Sequence, residues 1–116
     1  MNYIDIALFA AKTLNAKKAL DITVIHVGMK ATFAEYMVLA SGTSIRQIGA
    51  LQEHLEEAFE KEKIIIKNIE GTKESGWILL DCGDIIVNVL TVEMREKYYI
   101  EKVWGDCQFL PLEEKE

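Results

Sequence analysis

The apolar positions change period along the chain, and those changes divide it into elements. Ile4, Ala7, Leu8, Ala11 and Leu14 recur at helical spacing, and Asn15 suits the left-handed position that ends a helix. Residues 22–27, ITVIHV, are rich in β-branched types and predict a strand, which Gly28 closes. Thr32 is a candidate N-cap for a short helical turn ahead of Phe33 and Glu35, and YMVLAS at 36–41 predicts a second strand. Ser44 and Gln47 have the spacing of a capping box. Ile45, Ile48, Leu51, Leu55 and Phe59 then form one apolar stripe, which predicts a helix over about 44–61. Further strands are predicted at 64–69, 77–81 and 85–90, with a turn beginning at Glu70-Gly71 and a last helix over about 91–104. Helices mixed with hairpins predict an α/β (α+β) domain: a mixed sheet of about five strands flanked by helices, chiefly on one side.

The stretch GWILLDCGDIIVNVL, 76–90, carries most of the functional signal. A Cys82-Gly83 turn would set Asp81 opposite Asp84, Leu79 opposite Ile86 and Trp77 opposite Asn88. Alternation puts Ile78, Leu80, Ile85, Val87 and Val89 on one wholly apolar face, which predicts core. The other face holds Trp77, Leu79, Asp81, Asp84, Ile86 and Asn88. It is too mixed for deep core and too apolar for an idle wet surface. A tryptophan among aliphatics with a polar rim is what protein interfaces concentrate, so these six are the candidate partner-binding residues. The competing reading is that a helix or loop of the same chain covers this face. Two like charges facing each other cost a hairpin up to about 1 kcal/mol. Turn capping by the aspartates, or a Lys or Arg from a partner, would offset that cost.

Charge narrows the choice of partner. With 19 acidic against 13 basic residues, the chain carries −6 at pH 7. That balance disfavours direct binding to nucleic-acid phosphates and suits a basic protein. Length predicts one domain over 1–106, followed by a short acidic tail, 107–116. The final PLEEKE is expected to be mobile. The two cysteines, Cys82 and Cys107, form no CxxC pair, and the N-terminal apolar segment contains Asp5 and Lys12, so neither a zinc site, nor a signal peptide, nor a membrane span is expected. A reducing, cytoplasmic setting follows as the expectation.

Candidate chemistry is sparse. Ser41-Gly42-Thr43-Ser44 lies between a strand and a helix start, where free amides can hold an anion. A nucleotidyltransferase of the glycine-serine type would begin this way, but it needs two acidic side chains alternating on a neighbouring strand to hold magnesium. No Asp-x-Asp follows Gly42, and neither GxxxxGK[ST] nor GxGxxG is present. Helix capping is the ordinary reading of this loop. His26 and His54 share no ligand spacing with a cysteine, no base is evident beside Cys82, and Tyr98, Tyr99 and Trp104 read as core packing. No cofactor or metal is expected.

Three segments in order, FAEYMVLASGTSIRQ, GWILLDCGDIIVNV and REKYYIEKVWGD, resemble the ribosomal silencing factor family, also called RsfS or Iojap, over roughly residues 3–106. The resemblance implies a fold related to nucleotidyltransferases without their catalytic residues. It also implies a non-enzyme that binds ribosomal protein L-fourteen on the large ribosomal subunit and sterically blocks joining of the small subunit, which represses translation. Organelle relatives act in large-subunit assembly. Trp77, Asp81, Gly83 and Asp84 match the family's hairpin motif; Ser41, Gly42, Ser44 and Arg46 match its strand-to-helix motif; Tyr98, Glu101 and Trp104 match its last helix. The chain departs from the family where aspartate is common at His26 and histidine at Asn88, and at Lys97 and Tyr99. Contact with ribosomal RNA is expected to be peripheral, and the same apolar face is expected to support a homodimer of the free protein. The alternatives are an assembly factor for the large subunit, a nucleotide-binding enzyme and a self-assembling domain unrelated to ribosomes.

Overall fold

A computed structural model describes residues 1–111. Its elements run α1 (Tyr3–Ala16), β1 (Leu20–His26), β2 (Tyr36–Gly42), α2 (Ile45–Lys61), β3 (Asn68–Glu70), a 3-10 turn (Lys73–Ser75), β4 (Trp77–Asp81), β5 (Ile85–Thr91), α3 (Val92–Tyr98), a 3-10 helix (Ile100–Trp104) and β6 (Gln108–Leu110). The six strands form one mixed sheet in the order β3-β4-β5-β2-β1-β6. β2 and β5 pair in parallel, and every other pairing is antiparallel. Parallel strands at a sheet centre are covered on both faces and so read as continuous apolar runs. YMVLASG and IIVNVLT are two such runs, and all of β5 is buried.

Helices cover both faces, not chiefly one. On the first face α1 lays Ala7, Ala10, Ala11 and Leu14 against the sheet, and α2 adds Ile48, Leu51, Leu55 and Phe59. The strands meet them with Val24, Val38, Ala40, Ile78, Leu80, Ile85, Val87 and Val89, which include every residue of the predicted core face of the hairpin. The second face is closed by a thinner layer: the 28–34 loop, α3 and the 3-10 helix, through Ala31, Ala34, Met94, Ile100 and Trp104.

Local chemistry places the helix starts. Asn2 caps α1 by accepting from the Asp5 amide, and Ser44 caps α2 by accepting from the Gln47 amide. Gln47 reaches back to the Thr43 amide at 2.7 Å, one residue beyond the expected box. Gly42 has to lack a side chain, because a Cβ there would sit 2.9 Å from Cγ2 of Ile48 in α2.

Several expectations are corrected. α1 continues past Asn15 to Ala16. The stretch 64–69 pairs as a strand only from Asn68, on the sheet edge. No helix forms at Thr32, where the chain is a loop held by turn bonds from the Lys30 and Ala31 amides to Val27 O. The last helix breaks at Tyr99, whose φ and ψ of 44° and 57° are left-handed. The stretch assigned to the tail contains β6, which pairs Val24 with Leu110 and His26 with Gln108, so the sheet extends to Leu110. Apart from Pro111, the predicted mobile PLEEKE segment lies outside the described residues.

Phe59 is fully buried, with its ring 5.8 Å from that of Phe9. Phe59→Ala is expected to cost about 3–5 kcal/mol. A urea melt checks this, and the midpoint should fall while the slope stays unchanged.

Candidate partner-binding site

The hairpin turns one residue later than expected. The Cys82 amide donates to Ile85 O at 2.9 Å, leaving Gly83 and Asp84 at the tip. Gly83 has φ 88°, a left-handed value that glycine adopts without a Cβ clash. Its amide donates to Asp81 Oδ1 at 2.9 Å, so Asp81 acts as a turn former. The register pairs Asp81 with Ile86, Leu79 with Asn88 and Trp77 with Leu90. The two aspartates therefore do not oppose each other. A slip of two positions in the pairing leaves the parity of each strand intact, so the residues within 77–81 and 85–90 keep their predicted faces, while Asp84 falls in the turn.

The structure separates the six candidate residues. Trp77, Leu79 and Asp81 lie half-buried along β4 on the second face. Ile86 and Asn88 are only 8% and 2% exposed, beneath the thinner layer. They belong to the packing beneath the face, and the reading that the chain covers its own surface holds for this β5 half. Asn88 Oδ1 accepts from Trp77 Nε1 at 2.9 Å, a diagonal cross-strand contact that fixes the indole. Asp84 points elsewhere. Its carbonyl accepts from the Glu35 and Tyr36 amides, and its carboxylate lies near the Tyr3 hydroxyl at the start of α1. Hydrogen bonding toward that carboxylate, and its charge, raise the tyrosine pKa above its ordinary value.

Two residues join the face that the sequence reading placed in the core or left out. Tyr98, at the end of α3, is 49% exposed and stands with its ring 5.3 Å from that of Trp77. Met94 is half-buried beside the same ring and, with Trp77, Leu79, Ser75 and Gly71, lines a shallow pocket. The result is an aromatic patch along β4, with Asp81 at one end and Glu70 at its edge.

The Ser41-to-Ser44 loop has other work. Ser44 caps α2, and Ser41, 1% exposed, accepts from Arg95 Nη1 at 2.9 Å. Arg95, 7% exposed, also donates from Nε to Glu101 Oε2 at 2.9 Å and from Nη2 to Thr23 Oγ1 at 3.1 Å. This buried cation was not legible in the sequence, where Arg95 looks like one more charge on an amphipathic helix. The only hint is that Thr23 and Ser41 interrupt otherwise apolar runs. Burial, with some help from the Asp81 charge, pushes the Cys82 thiol up to about 12, which leaves it protonated and poorly nucleophilic. His26 Nε2 lies 3.2 Å from Glu35 Oε1, and its ring stacks on Tyr36.

Two measurements check this geometry. Asn88→Ala would leave the indole N–H without its acceptor and is expected to cost about 1–3 kcal/mol in a denaturant melt. Alkylation of Cys82 at pH 8, followed by mass spectrometry, is expected to run on the order of a thousandfold slower than that of a cysteine with the ordinary pKa of 9.0, following its smaller thiolate fraction.

Comparison with known proteins agrees with this architecture. A crystal structure of a Chromobacterium violaceum protein superimposes with a TM-score of 0.87 at 28% identity, covering 99% of this chain and 95% of that one. The chain is similar to the ribosomal silencing factor RsfS of Zymomonas mobilis, at 38% identity over 80% of this chain and 70% of that protein. It is also similar to the RsfS of Bacillus subtilis, at 31% identity over 97% of this chain and 96% of that protein. The family model described as "Ribosomal silencing factor during starvation" matches residues 1–116. With motifs, fold and relatives in agreement, the chain belongs to the ribosomal silencing factor family.

Proposed function

We propose that this protein represses translation by docking its β4 face on ribosomal protein L-fourteen of the large ribosomal subunit, where its bulk keeps the small subunit away. The observation that carries the reading is the patch of Trp77, Leu79, Met94 and Tyr98, half-covered by the chain's own layer and edged by Asp81. Aromatic anchors in a rigid setting with a polar rim concentrate binding energy. A chain of net charge −6 is drawn to a basic protein and away from exposed phosphates, which keeps contact with ribosomal RNA peripheral. The mechanism is occupancy and needs no reaction. The site is Trp77, Leu79 and Asp81 from the strand, with Met94 and Tyr98 from α3, while Ile86 and Asn88 support it from below. Asp84, whose carbonyl accepts from the Glu35 and Tyr36 amides, belongs to the hairpin tip. The setting is the cytoplasm, and in the free protein the same patch pairs with a second copy in competition with the ribosome.

Co-sedimentation with separated ribosomal subunits tests the reading, with wild type beside Trp77→Ala. Wild type is expected to travel with the large subunit only. Removing the indole from the centre of such a patch typically costs about 2–4 kcal/mol, or roughly thirtyfold to a thousandfold in affinity. Circular dichroism confirms that the variant is folded. If folded Trp77→Ala sediments like wild type, the assignment of the face is wrong. If wild type travels with neither subunit, the function itself is wrong.

A further inference from the structure

The exposed half of the β4 face is not carried by one element. Trp77 and Leu79 come from β4, whereas Met94 and Tyr98 come from α3, a helix of 7 residues. Two turns of helix are far too short to be stable alone, since isolated helices below about 12–15 residues are marginal. The chain then leaves α3 through Tyr99 in a left-handed conformation, which costs a non-glycine residue on the order of 1–2 kcal/mol. Something in the fold has to hold this short helix, and its unfavourable exit, against the sheet.

We infer that buried Arg95 is a positioning residue for partner binding: through Ser41, Thr23 and Glu101 it locks α3 so that Tyr98 stands against Trp77. This rests on the reading of the β4 face as the docking surface. The geometry is specific. Arg95 lies one turn before Tyr98 and is buried against the sheet, while Tyr98 is half exposed beside Trp77. Its guanidinium reaches β2 at Ser41 and β1 at Thr23, and its Nε reaches Glu101 in the following 3-10 helix. The Arg95–Glu101 pair therefore spans the left-handed residue and clamps the chain on both sides of it. The Arg95 carbonyl also accepts from the Tyr99 amide at 2.9 Å, closing the helix at the kink. On β1 the receiving end is built by an irregularity in the pairing with β2 between Leu20 and Thr23, with Asp21 at φ 47°. Thr23 Oγ1 donates to Asp21 O at 3.3 Å while it accepts from Arg95, so its hydroxyl is oriented for the guanidinium.

The ion pair is imperfect as a source of stability. Glu101 Oε1 is buried and has no hydrogen-bond partner among the described residues. A buried ion pair with an unmatched oxygen gives back much of its attraction in desolvation, and apolar replacements of similar volume are often neutral or stabilising. A lysine could not reproduce the arrangement either, because only the planar fork addresses three acceptors at fixed angles. Geometry, more than stability, is what the network contributes, and the two can be separated by experiment.

The test compares full-length Arg95→Met, the double variant Arg95→Met/Glu101→Leu and wild type. Three readouts are taken: thermal midpoint, affinity for the purified large subunit, and the indole N–H resonance of Trp77, assigned by its loss in Trp77→Phe. The single variant strands a buried carboxylate and is expected to melt at lower temperature. The double variant removes that penalty and is expected to recover the wild-type midpoint, yet to bind the large subunit at least tenfold more weakly and to show a displaced Trp77 resonance. A double variant that melts like wild type, keeps the resonance in place and binds within twofold of wild type overturns the inference. If wild type itself fails to bind the subunit, the docking reading falls separately. The Trp77 resonance then decides the positioning role alone: a shift in the double variant upholds it, and no shift overturns it.

Discussion

The parallel pairing of β2 with β5 is the constraint on which the rest of the molecule depends. Parallel neighbours cannot be joined by a tight turn and cannot face water on either side. Placing them at the sheet centre forces apolar residues onto both faces, and each face then needs its own cover. The chain answers unequally. α1 and α2 supply 14 and 17 residues of helix to the first face. Among the described residues the second face receives only α3, a 3-10 helix and a loop, and these cover β5, β2 and β1 but only part of β4. Asn88 and Ile86 are closed off, while Trp77 and Leu79 stay half open. The incomplete second layer is the physical origin of the candidate docking patch.

A thin layer needs fastening, and its polar residues follow from that need. A guanidinium only 7% exposed has to be paired, because an unpaired buried charge costs several kcal/mol. Arg95 places its donors on β1, β2 and the 3-10 helix, which ties the layer to the sheet on the far side of β5 from the patch. At the opposite end, Met94 packs so closely on the strand-entry turn that a Cβ on Gly76 would lie 2.8 Å from its Cγ. Both attachments hold α3 against the sheet, on the turn that precedes Tyr98. The Ser41 hydroxyl is an internal anchor, accepting from the guanidinium.

How far the sequence discloses this follows from which signals are local. Strand parity is local, so the two faces of 77–81 and 85–90 were legible although the turn was placed one residue early. Helix capping is local too, and Ser44 caps α2 as expected. The break at Tyr99 was hidden because its cause is tertiary: an amphipathic pattern through 91–104 continues across a kink that Arg95 and Glu101 hold from both sides. β6 was hidden by brevity, since three residues show no period. The burial of Asn88 and Ile86 was hidden because a hairpin read alone does not reveal its outer neighbour. Once β2 lies beside β5, every β5 side chain becomes interior. The half-open place of Trp77 was legible for a transferable reason, since a large aromatic beside aliphatics and carboxylates fits neither core nor idle surface. Tyr98 was misread as core because helical spacing places a side chain on a face without saying which face is covered.

The proposed docking role asks that the patch be ordered in advance. Ordering a side chain at an interface costs about 0.5–1.5 kcal/mol, and a flexible aromatic would forfeit that much on docking. Here the indole is held by Asn88 from within the core and flanked by Tyr98 from above. Its orientation is set when the protein folds, so little further ordering is required when a partner arrives. Asn88 thus acts without being touched: a buried amide on the central strand aims an exposed ring on its neighbour. A silencing mechanism by occupancy asks no more of the fold than this, a compact body whose one unfinished layer presents stiff apolar groups in fixed positions beside acidic ones.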